Sequence, residues 1–248
     1  MAGGGPGPPT AVRPTRAVAP EDREACLAQL ADLECCVEEG GGALRLPPFV
    51  PPGRPSPLSA LAECGDRTCG CHRLMQPGVR PAFERYAVRR AAAALGRGGL
   101  PAPGAPGLVY CSLGSGLLLQ DARIVELLRA AGAPPARVVL VDETYDTGGG
   151  GEAAAALGQL ADWLAPAPVE AFGSASAYEE ACASDPGRYR AHVLVACDAG
   201  GCGEFLGLSR RRLAGLVRGG GVALSLTNEG AGPEAGPGRA TSGRAWPR

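Results

Sequence analysis

The sequence predicts an α/β protein: a Rossmann-like three-layer α/β/α domain with a mostly parallel sheet, preceded by a helical N-terminal segment. From residue 108 onward, short apolar runs alternate five times with patterns of helical period. Each run is almost continuously apolar, as expected for a strand that is buried on both faces of a parallel sheet. Strands that alternate with helices imply right-handed crossovers and a doubly wound sheet.

The length of 248 residues suits one substantial domain with additional segments, and a hydrophobic content of 45% is enough to bury a core. The chain has 39 glycines and 24 prolines, a content that usually indicates disorder. It also has no lysine, which indicates a GC-rich coding sequence, so the glycine and proline content alone is a poor guide to disorder here. We expect four segments. They are a disordered tail over 1–19, a helical cap over 20–100, a Rossmann-like ligand-binding domain over 105–230 and a disordered tail over 231–248.

The N-terminal segment contains two predicted helices. The first covers 20–39, where leucines recur at helical spacing until three glycines end the pattern. The second covers 81–95, with Pro81 at its first position. We expect this segment to pack over or beside a cleft and to influence the choice of substrate, with Phe83, Tyr86 and Arg90 as candidates.

The second part of the chain contains five predicted strands and four predicted helices. The strands are 108–113, 137–141, 169–172, 192–197 and 222–227. The helices are 117–131, 152–164, 177–183 and 204–218. Gly132 is expected to end the first of these helices, Ser176 and Glu179 to form a capping box for the third, and the glycines at 219–221 to end the fourth.

Composition and charge exclude several classes of function. The net charge is −1, with 24 basic and 25 acidic residues and no basic stripe interleaved with aromatics, so we expect no nucleic-acid partner. No apolar run approaches the roughly eighteen residues of a membrane span, and residues 1–20 lack the apolar core of a secretory signal. We expect a cytoplasmic protein, with an organellar transit peptide as the open alternative. The oligomeric state is not indicated.

Glycine or acidic residues follow each of the first four predicted strands. The residues after these strands are, in order, Gly114, Ser115 and Gly116; Asp142 and Glu143; Gly173 and Ser174; and Asp198. In an open parallel sheet, ligands bind outside the carboxyl ends of the strands. Glycines allow a ligand to approach the main chain, and a carboxylate such as Asp142 can accept hydrogen bonds from ribose hydroxyls. The pattern therefore predicts a cleft for a nucleotide-like small molecule.

Four stretches carry a resemblance to a known family. "VYCSLGSG", "VVLVDETYD", "AHVLVACDAGG" and "LAGLVRGGGVALSL" resemble, in this order, motifs of class I S-adenosylmethionine-dependent methyltransferases, over residues 108–227. The resemblance implies S-adenosylmethionine as cofactor and a transferase activity with an unidentified methyl acceptor. It places Gly114, Ser115, Gly116, Asp142 and Glu143 at the cofactor, Ser174 near the adenine and Asp198 toward the acceptor as the candidate catalytic residue.

The sequence also departs from that family. Ser112 stands where an acid is usual, Leu118 stands where a third glycine is usual, and the last two strands of the family sheet have no counterpart. A non-catalytic Rossmann-like interaction module therefore remains the alternative. An NAD(P)-binding oxidoreductase is favoured less, because G-S-G-L-L-L lacks the third glycine of that fingerprint.

The ten cysteines are expected to be free thiols, since no export signal is present. Cys64, Cys69, Cys71 and His72 form a cluster of four soft ligands within nine residues. Their spacing does not match that of a zinc knuckle, and we expect no zinc there. Only two histidines occur in the chain, which argues against a hydrolytic triad.

Overall fold

A computed structural model describes residues 9–39, 42–49, 54–63, 71–98, 107–146, 151–197 and 210–226. The strands are β1 (Thr10–Val12), β2 (Val37–Glu38), β3 (Leu44–Arg45), β4 (Leu108–Leu113), β5 (Pro135–Val141), β6 (Val169–Phe172), β7 (Ala191–Cys197) and β8 (Val217–Leu226). The helices are α1 (Pro20–Ala31), α2 (Val79–Gly98), α3 (Leu119–Ala130), α4 (Glu152–Leu164), α5 (Ala175–Ser184), α6 (Pro186–Tyr189) and α7 (Arg210–Gly215).

The main sheet has the strand order β1-β6-β5-β4-β7-β8. Strands β6, β5, β4, β7 and β8 run parallel to one another, whereas β1 pairs antiparallel with β6. The parallel part of the sheet starts at the central strand β4, proceeds outward through β5 and β6, and then returns to the other side of β4 for β7. The strand order therefore reverses beside β4, where Ser112 pairs with Leu140 of β5 and Val195 of β7.

Helices cover both faces of this sheet, because alternate residues of each buried strand contribute to two hydrophobic cores. Tyr110 of β4 belongs to the core shared with α1, α2, α3 and α4. Its neighbour Cys111 belongs to the opposite core, with side chains of α5, α6 and α7. This arrangement confirms the predicted three-layer α/β fold. No helix within the described ranges has the length and apolar character needed to cross a membrane.

Two predicted helix boundaries have different outcomes. Gly132 follows α3 with a φ of +77°, and its N–H donates to the carbonyl of Arg129, so a left-handed glycine ends this helix as predicted. The capping box at Ser176 is wrong. The N-cap of α5 is Ser174, whose hydroxyl accepts the Ala177 N–H at 3.2 Å.

The predicted helix 204–218 is wrong in its last residues. Helix α7 ends at Gly215 and β8 begins at Val217, so the three glycines at 219–221 lie inside a strand. A Cβ on Gly221 would lie 2.8 Å from the His192 carbonyl oxygen of β7, so a side chain does not fit at this point of close strand approach. Residues 204–209 lie outside the described part of the chain.

The N-terminal residues contain structure that the sequence pattern did not indicate. Residues 10–12, expected in a disordered tail, form β1 at the edge of the sheet. The segment after β1 is held by Asp162 of α4, whose carboxylate accepts the N–H groups of Thr15 and Arg16. The predicted helix 20–39 ends at Ala31 and is followed by the small β2–β3 hairpin. Residues 1–8 and 231–248 lie outside the described ranges.

Candidate functional site

The glycine turn, residues 114–116, lies at the carboxyl end of the central strand β4. Gly114 and Gly116 have φ values of +67° and +52°, which side-chain-bearing residues rarely adopt. The Gly114 N–H donates to the carbonyl of Val141, the last residue of β5, at 2.8 Å. A Cβ placed on Gly116 would meet no atom within 4 Å, so there is open space beside this backbone.

Asp142 follows β5 and lies beside the glycine turn. Its Oδ2 accepts the Gly116 N–H at 2.8 Å. Its Oδ1 accepts from the Thr144 N–H at 3.0 Å and from the Thr144 hydroxyl at 2.7 Å. The structure thus places together the two glycines and the acid that the sequence analysis linked. Three of the roughly four lone-pair sites of the carboxylate are already in use.

Tyr145 was not predicted as a site residue, yet its hydroxyl contacts the glycine turn. Its hydroxyl donates to the Gly116 carbonyl at 3.0 Å and lies 2.8 Å from the hydroxyl oxygen of Ser115. Burial raises the pKa of Tyr145 well above its ordinary value, so the phenol stays protonated and remains a donor. In the sequence, its position three residues after Asp142 places Tyr145 on the same turn but does not show where its hydroxyl lies.

Asp121 is a second missed residue, in the first turn of α3. It is 3% exposed, and it accepts the Tyr110 hydroxyl at 2.6 Å. Burial raises the pKa of Asp121 to about 6, although hydrogen bonds from Tyr110 and Ser112 oppose the rise. A buried carboxyl therefore lies against Ser112. Ser112 itself stands at the position where the resemblance described above predicts an acid.

A buried charge cluster connects the N-terminal segment with the start of α3. Arg73 donates to Glu63 at 2.6 Å and to Glu84 of α2 at 2.7 Å. The opposite oxygen of Glu63 lies 3.7 Å from Arg80, and Arg80 also donates to Gln120 of α3. These carboxylates raise the pKa of Arg73 above its ordinary value despite its burial. The members of this cluster come from separate parts of the sequence, between Glu63 and Gln120, so no local pattern predicts that they meet.

The N-terminal segment also contacts the residues that follow the glycine turn. The Ala62 N–H donates to the Leu117 carbonyl at 2.9 Å, and the Leu119 N–H donates to the Ala62 carbonyl at 3.3 Å. Between them, Leu118 adopts a φ of +71° with its side chain fully buried. A leucine thus takes the left-handed conformation that a glycine would adopt without strain.

Glu143 and Ser174 follow β5 and β6, at the same end of the sheet as the glycine turn. Glu143 is exposed on the turn after β5, and Ser174 is the N-cap of α5. Asp198, Cys64 and Cys69 lie outside the described residues. Cys71 and His72 are buried. Within the described ranges, no group of three or more His, Cys, Asp or Glu side chains is arranged to hold a metal ion.

No family model matches the sequence, and no curated protein matches it. The fold has a distant likeness to a candidate methyl transferase from Burkholderia thailandensis, solved bound to S-adenosyl-homocysteine, with 18% identity and a TM-score of 0.31. The likeness covers 74% of this chain and 44% of that one, so this chain spans less than half the length of that protein. Similarity at this level adds nothing to the architecture described above.

Proposed function

We propose that this chain is an S-adenosylmethionine-dependent methyltransferase-like protein that binds its cofactor at the carboxyl edge of β4 and β5. The observation that carries the proposal is the meeting of the glycine turn with Asp142 beside the reversal of strand order. Gly116 N and Asp142 Oδ2 are 2.8 Å apart, and open space adjoins Gly116. Ligands of doubly wound sheets bind at this place.

The residues present fit such a ligand with one condition. Gly114, Ser115 and Gly116 offer backbone that a ligand can approach, while Asp142 offers a carboxylate for ribose hydroxyls. Only about one lone-pair site of that carboxylate remains free, so accepting two hydroxyls requires the loss of a bond to Gly116 or Thr144. Glu143 and Ser174 remain our proposals for the same ligand.

Asp121 supplies a carboxyl close to Ser112. S-adenosylmethionine supplies a sulfonium-bound methyl group and carries an ammonium on its methionyl part. When ionised, Asp121 would attract that ammonium, and an approaching positive charge would in turn favour ionisation by lowering the raised pKa of Asp121. Asp198 facing the methyl acceptor remains a proposal, and the acceptor itself is not identified.

The helical segment 20–100 remains our proposal for a cap that influences the choice of acceptor. Its support is the pair of backbone hydrogen bonds between Ala62 and the residues directly after the glycine turn. Phe83, in contrast, is buried in the core shared with the sheet, which favours a packing role for that candidate.

A non-catalytic interaction module is the second candidate function. The observation in its favour is that the glycine turn is satisfied from within the chain. Asp142 accepts the Gly116 N–H and Tyr145 donates to the Gly116 carbonyl, so both polar groups of this peptide backbone already have partners. A turn of this kind is complete without a ligand.

Calorimetric titration with S-adenosylmethionine, S-adenosylhomocysteine and NAD separates these candidates. We expect Asp142→Ala to weaken binding of the first two by about 1.5–3 kcal/mol, roughly 10- to 150-fold. Asp146→Ala, an exposed acid of the same turn, is the matched control and should bind as the wild type does. Binding of NAD alone would contradict the proposal. No heat with any of the three ligands would leave the non-catalytic module.

A further inference from the structure

A cavity of about 450 Å³ lies at the amino ends of strands β4 and β5, whereas the glycine turn lies at their carboxyl ends. Its walls include Val109 at the start of β4, Arg137 at the start of β5, and Asp185 and Arg188 at α6. The wall at β4 is held in place because the Val109 N–H donates to Nδ1 of His192 at 2.9 Å. The cavity lies at the start of β4 and the glycine turn follows its end, so the length of β4 separates the two.

Arg137 and Arg188 meet at one oxygen of a buried carboxylate. Both contact Oε1 of Glu170, Arg188 at 3.0 Å, and the Glu170 side chain is 3% exposed. One carboxylate neutralises one guanidinium, so this group of three carries an excess positive charge. Burial lowers the pKa of Arg137 and the charge of Arg188 lowers it further, while the charges of Tyr189 and Asp185 oppose this shift.

Asp185 also lies near this positive charge, but its carboxylate oxygen accepts from a backbone N–H rather than from a guanidinium. Its Oδ1 accepts the backbone N–H of Arg188 at 3.0 Å, as the N-cap of α6. It therefore brings a carboxylate to the cavity wall while the two guanidiniums remain on Glu170. Arg188 is 47% exposed and Arg137 is 23% exposed, so a dissolved anion can reach both.

We propose that this cavity binds a phosphate monoester that carries hydroxyl groups, with the phosphate on Arg137 and Arg188 and the hydroxyls on Asp185. Guanidinium forks match phosphate oxygens with two parallel hydrogen bonds, which an ammonium group does not offer. A carboxylate accepts hydrogen bonds only, so Asp185 selects a ligand with donors beside its phosphate. The volume lies within the range of small-molecule sites, about 300–1,000 Å³, and exceeds the size of a phosphate alone.

The test is calorimetric titration of the full chain with ribose 5-phosphate, inorganic phosphate and ribose. We expect ribose 5-phosphate to bind and Arg188→Gln to weaken it by about tenfold or more, since a charge-assisted pair of hydrogen bonds is lost. Arg211→Gln removes an exposed arginine of α7 and should leave binding unchanged. Arg137→Lys keeps the charge but loses the fork, and should also weaken binding. Thermal unfolding of each variant without ligand shows whether it is folded.

Each outcome decides part of the proposal. Absence of binding by ribose 5-phosphate at about 10 mM, or equal binding by wild type and Arg188→Gln, overturns it. Loss of binding in Arg211→Gln as well as in Arg188→Gln overturns it too, because the effect would then come from net charge. If inorganic phosphate binds as tightly as the ester and Asp185→Asn changes nothing, the role assigned to Asp185 is wrong. The proposal is independent of cofactor binding at the glycine turn.

Discussion

Replacing Asp121 by Asn should stabilise the protein at neutral pH. Burial raises the pKa of this carboxyl from 3.8 to about 6. A rise of about two in pKa corresponds to about 3 kcal/mol between the charged and the neutral form. Above pH 7 the wild type keeps a buried negative charge at that cost, whereas Asn is uncharged and still offers an oxygen to the Tyr110 hydroxyl.

The direction of the pH dependence follows from the two pKa values. The folded state binds the proton of Asp121 more tightly than the unfolded state does, so this group favours folding below about pH 4. That contribution is lost as the pH rises through about 6. The Asn variant should therefore exceed the wild type by about 2–3 kcal/mol at pH 8, and the difference should vanish toward pH 4.

Urea unfolding followed by the fluorescence of buried Trp163 measures both proteins across this pH range. Asp162→Asn is the matched control, because Asp162 is also a buried aspartate but accepts two backbone N–H groups. This control should lose about 1–3 kcal/mol. The reasoning is refuted if Asp121→Asn is no more stable than the wild type at pH 8, or if its advantage does not change with pH. Should Asp121 also attract the cofactor ammonium, the more stable variant binds S-adenosylhomocysteine more weakly.

Three further outcomes are expected from urea unfolding. Burial lowers the pKa of His192 to about 4, so the native state holds a neutral imidazole, and stability should fall by about 1–2 kcal/mol as the pH drops from about 6.5 to 4. His192→Asn should abolish that part of the pH dependence, and an unchanged profile would contradict the assignment. Leu118→Gly should lower stability by about 1–4 kcal/mol, because the lost burial outweighs a strain relief of about 1–2 kcal/mol; a gain would show that strain dominates. Arg73→Met should cost about 3 kcal/mol, because Glu63 and Glu84 lose the buried cation that hydrogen-bonds to both and retain Arg80 and Arg123 at 3.7 Å; a loss below about 1 kcal/mol would contradict this.

Much of the sheet was predictable because its strands are continuous apolar runs. The predicted bounds of β4, β6 and α4 agree with the structure, since turn residues limit each of them on both sides. β8 was predicted to start five residues too late, because three successive glycines look like a break in any local pattern. Strand β1 has three residues and no periodicity, and only its pairing with β6 makes it a strand.

The candidate site was predictable where backbone chemistry decided it, and not where tertiary packing did. Glycines and an acid after successive parallel strands must meet at one edge, and Gly116 and Asp142 do meet. The burial of Asp121 was not predictable, because an acid in the first turn of a helix ordinarily lies at an exposed N-terminus. The hydroxyl of Tyr145 depends on how its turn folds back, which spacing does not reveal.

The placement of β1 also has a practical side. It covers one long edge of the sheet, and an uncovered edge offers unpaired N–H and C=O groups to any other chain. A version of the protein that starts beyond Val12 would expose β6 in this way and should form concentration-dependent aggregates. Purification tags and engineered fusions are therefore best placed before Thr10, with a flexible spacer, rather than in place of the first residues.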